Sequence, residues 1–94
     1  MKDSVAEFNY ILLHGNTDGS GYAKSQLVLD NAKVGVTGGV NGQYGKITMN
    51  GNSAIIATND SVLDLRGLQN FGCLSMEADN LVSLTDSALY SGSI

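Results

Sequence analysis

Short apolar clusters, each fenced by Gly, Asn, Asp or Ser, recur along this chain and restrict what it can become. Leu27-Val28-Leu29, Ile47-Thr48-Met49, Ala54-Ile55-Ile56 and Val62-Leu63-Asp64-Leu65 are too short for helices. Bounded in this way, they have the pattern of strands between tight turns. Glycine reinforces the reading: there are 12 in 94 residues, and each costs a helix about 1 kcal/mol. Residues 4–13 are the one stretch with helix-like apolar spacing, and that spacing is ambiguous. The chain reads as all-β.

Cutting the chain at the clusters reveals an internal repeat. Leu27, Ile47 and Leu74 align, as do Leu29, Met49 and Met76. Val34, Ile55 and Val82 follow, and then Thr37, Thr58 and Thr85, in steps of 21 and 27 residues. An insertion near residues 66–72 accounts for the longer step. A third short strand closes each unit at 62–65 and 88–90, with Val40 a poorer counterpart. The turns Asp30-Asn31, Asn50-Gly51-Asn52 and Ala78-Asp79-Asn80 fall in one register, and Asn and Gly suit corners that need left-handed backbone angles. A unit of about twenty residues with two or three strands suits one coil of a solenoid. The expected fold is a short parallel β-solenoid of about three coils over residues 27–94. Residues 1–26 would form an irregular N-terminal cap or edge segment. A small antiparallel β-sandwich or roll is the alternative.

This rung spacing resembles the right-handed parallel β-helix architecture of phage tailspikes, autotransporter passengers and polysaccharide lyases. The resemblance covers residues 27–94 and concerns architecture alone. It implies an elongated, extracellular or virion-associated protein, often one that handles carbohydrate. No catalytic motif of those enzymes maps onto these residues.

Composition removes several other classes. With five cations against nine acids, the net charge is −4, which gives no basic face for nucleic acid. A single Cys closes no internal disulfide. No apolar run approaches the roughly 18 residues a membrane helix needs, so no membrane insertion is expected. Residues 1–7 show no secretion signal, which leaves a cytoplasmic location open beside the extracellular or virion one.

Candidate chemistry is sparse. Asn16, Asp18 and Ser20 alternate before Gly21 like the first half of a calcium loop, but position twelve is Leu27 rather than a bidentate Glu. A glycine-rich turn is the plainer reading, and calcium is the only cofactor with a candidate site. His14, the sole histidine, has no metal-binding or triad partners nearby in sequence. Asp60 and Asp86 occupy similar points of successive units, with Asp64 one strand on. Glycoside cleavage needs two such carboxyls, although acids at solenoid corners ordinarily form solvated turns. The threonines 37, 58 and 85 suggest hydroxyl ladder bonds between coils. Tyr10, Tyr22, Tyr44 and Tyr90 are candidate sugar-stacking rings, and Cys73 reads as a small buried thiol.

The strand-like end at Ala88, Leu89 and Tyr90 has no charged or helical closure, so it is the expected interaction edge. The expected function is a non-enzymatic structural or adhesive β-module of a surface, fibre or virion assembly, acting as a homo-oligomer or larger assembly. The alternatives are a carbohydrate-binding or carbohydrate-cleaving β-helix, with a glycan as partner, and a small intracellular inhibitor or adaptor offering a β-edge.

Overall fold

The computed structural model describes residues 1–14, 25–38, 45–66, 72–76 and 80–91. Among these residues ten strands follow in order: β1 (Val5–Phe8), β2 (Tyr10–His14), β3 (Ser25–Asp30), β4 (Lys33–Val36), β5 (Lys46–Asn50), β6 (Ser53–Thr58), β7 (Val62–Asp64), β8 (Cys73–Met76), β9 (Leu81–Leu84) and β10 (Ala88–Tyr90). They form three sheets, β1-β4-β7-β10, β2-β5-β8 and β3-β6-β9. Every pairing between these strands is parallel, which removes the antiparallel sandwich or roll. The chain visits the three sheets in strict rotation, an arrangement compatible with a short β-solenoid.

Each strand has one face turned to the interior, following the two-residue alternation of extended chain. In β4 the buried pair is Val34 and Val36, and in β5 it is Ile47 and Met49. With Ile55, Ala57, Leu63, Leu65 and Leu74 these make one continuous core. Burying each larger side chain contributes about 1.5–3 kcal/mol, and stacking equivalent residues makes the core a set of columns.

The columns differ from those predicted by the rung spacing. Ile47 does stack on Leu74, Met49 on Met76 and Ile55 on Val82. Leu27, however, pairs with Ile55 and Leu29 with Ala57, while Val34 pairs with Ala6 and Leu63. The true step is therefore longer than twenty residues. Val5, Lys33, Val62 and Ala88 are successive equivalents, at steps of 28, 29 and 26 residues. The twenty-residue alignment joined Leu27, in one sheet, to Ile47, in another. Both strands alternate with period two, so their apolar positions match whichever sheet they occupy.

The alignment also left residues 1–26 outside the coils. The structure gives this segment two regular strands, β1 and β2, paired in parallel with β4 and β5. The stretch with helix-like spacing is thus extended. Residues 1–3 run beside the outer edge of β3, with Asp30 N donating to Met1 O (2.8 Å) and Asp3 N to Asp30 O (2.9 Å). Val40, taken as a strand counterpart, lies outside the described residues, and β4 fills that place.

The corners of the coil are unequal. Two or three residues link β3 to β4, β6 to β7 and β9 to β10. At another corner Gly45 and Gly72 directly precede β5 and β8. A Cβ on Gly72 would lie 1.4 Å from Leu65 O, and one on Gly45 would lie 1.8 Å from Val36 O. Only glycine allows the returning chain to come this close to the strand it left.

Candidate functional site

The tight corner before β1, β4, β7 and β10 holds most of the polar structure. Asp3, Asn31, Asn59, Asp60 and Asp86 all have positive φ, between 51° and 61°, a conformation Asn and Asp tolerate better than other side-chain-bearing residues. Side chains then tie one coil to the next. Asn31 Nδ2 donates to Asp3 Oδ1 at 2.9 Å, and Asn59 Nδ2 to Asp30 Oδ1 at 2.7 Å. Lys33 Nζ donates to the carbonyl oxygen of Asp60. Ser61, fully buried, accepts from Ala32 N at 3.0 Å and donates to Thr58 O at 2.7 Å. A buried hydroxyl satisfied on both sides stabilises the turn rather than serving as a nucleophile.

Asp60 and Asp86 do meet at this corner, with Asp60 N donating to Asp86 O at 2.8 Å. Asp64 does not join them. It sits at the end of β7, one strand beyond the corner that holds Asp60. Its partner is Arg66, whose Nε and Nη2 donate to the carboxylate at 3.0 and 2.8 Å. These bonds hold the Asp64 carboxyl below its ordinary range, against a smaller opposing effect of burial, and raise the Arg66 guanidinium. The same guanidinium lies 4.2 Å from the Tyr90 ring centroid, a cation–π contact on the outer face.

The remaining predicted residues are dispersed. Asn16, Asp18, Ser20, Tyr22 and Tyr44 lie outside the described residues. Among the described residues no three His, Cys, Asp or Glu side chains gather as metal ligands. His14 is exposed at the end of β2, and Tyr10 is exposed on the same strand. Cys73 is half-buried, not buried: it precedes Leu74, whose side chain points inward, so its own points out. Thr37 leaves the threonine column, because its N–H bonds Phe8 O while Thr85 N bonds Ala57 O. Among the described residues no helix is long and apolar enough to cross a membrane.

The feature that sets parts of the molecule apart is the exposure of its end strands. Among the described residues, every exposed large apolar side chain except Met1 lies on β1, β2 or β3, or on β8, β9 or β10. Some of these face the core. Met76 is 39% exposed and Leu84 41%, whereas Met49 and Ala57, stacked directly beneath them, are fully buried. Phe8 at the other end is 41% exposed and its neighbour Val36 fully buried. Ala88 and Leu89 of the predicted interaction edge are half-buried and Tyr90 is exposed. Apolar alternation finds these residues in the sequence, but their exposure follows only from which strand lies last in each sheet.

Comparison with protein-family models, with curated proteins and with solved structures finds no match to this chain.

Proposed function

We propose that this chain is a non-enzymatic structural β-module, a short right-handed parallel β-solenoid that works by association through its open strand edges. The observation that carries the reading is the graded burial along single core columns. Met49 beneath Met76, and Ala57 beneath Leu84, are dry where their outer neighbours meet water. An inward-facing apolar side chain left wet gains free energy when a further strand covers it. Edge strands with unpaired N–H and C=O groups supply the hydrogen bonds for that addition. The tight corners, closed by Asp, Asn and Ser side chains, hold the coils rigidly enough for such an edge to act as a template.

In this role the protein is passive: parallel ladders and apolar columns give stiffness, and the ends make contact. A surface, fibre or virion assembly is the setting that fits such a module. Sedimentation velocity over a dilution series, with negative-stain imaging, tests the reading. The expected result is a mass above one chain that falls on dilution. A strictly monomeric protein at its highest soluble concentration overturns it. A glycan-array signal without association would favour the carbohydrate-handling alternative.

A further inference from the structure

We draw no further inference here: the strongest candidate, the apolar outer face of the β3-β6-β9 sheet where exposed Val28 lies beside Ile56 and exposed Leu81 beside Ala54, carries no proposal because nothing in the structure shows what covers it.

Discussion

Met49 and Met76 are the same residue type, in the same column, on neighbouring strands, yet one is dry and the other is wet. Nothing local separates them, since both are inward-facing methionines in short parallel strands. The difference is positional: β5 has a strand on each side and β8 has one only on one side. In a stacked fold of this kind, burial is set by the number of neighbouring coils more than by the residue itself. The middle of the molecule therefore provides stability, and the ends are the surfaces proposed for contact.

A charge placed at each level tests this contrast most severely. Ile55 is fully buried between Leu27 and Val82. Ile55→Asp would put an unpaired carboxylate there, at a cost expected to exceed about 5 kcal/mol, the lower range of ordinary domain stability. No cooperative thermal transition by circular dichroism should remain. Leu84→Asp, inward-facing but on the last strand, keeps its carboxylate hydrated and should retain a cooperative melt. Equal damage from the two would end the distinction between middle and end.

Truncation gives a milder version. Met49→Ala is expected to cost about 2–5 kcal/mol, as buried large-to-small changes do. Met76→Ala should cost under about 1.5 kcal/mol, because part of its surface is already in water. Urea denaturation of the two variants measures the gap. A closed gap at concentrations where the protein associates, but not in dilute solution, would show the end being covered by a partner.

Much of this architecture was legible in the residues. Fenced apolar clusters gave all-β, and three predicted stackings, Ile47 on Leu74, Met49 on Met76 and Ile55 on Val82, are present. The period differs from the twenty residues of the alignment because apolar alternation repeats every two residues and so cannot say which sheet a strand joins. A better signal lay in the polar corners. Asp3-Ser4-Val5-Ala6, Asn31-Ala32-Lys33-Val34, Asp60-Ser61-Val62-Leu63 and Asp86-Ser87-Ala88-Leu89 recur at the true spacing. Each couples a left-handed Asx to the first inward apolar residue of its strand. That constraint is specific to one corner, whereas an apolar pair is common to all three sheets. The candidate site was less legible. Asp60 and Asp86 do share one corner, and the Asp64–Arg66 pair is local, two residues apart, but the wet ends of the columns depend on which strands become neighbours.

The smallest effect is expected on the outer face, where Asp64 and Arg66 are both partly exposed. Exposed ion pairs contribute little, so Asp64→Asn should lower Tm by at most about 2 °C near neutral pH. The direction with pH is fixed by the Arg66 bonds, which depress the Asp64 carboxyl in the folded state. A depressed carboxyl stabilises the fold fully above the ordinary aspartate range and ceases to do so as pH falls through its folded value. The Tm difference between wild type and Asp64→Asn should therefore close on acidification below about pH 4, and should shrink at high salt near neutrality.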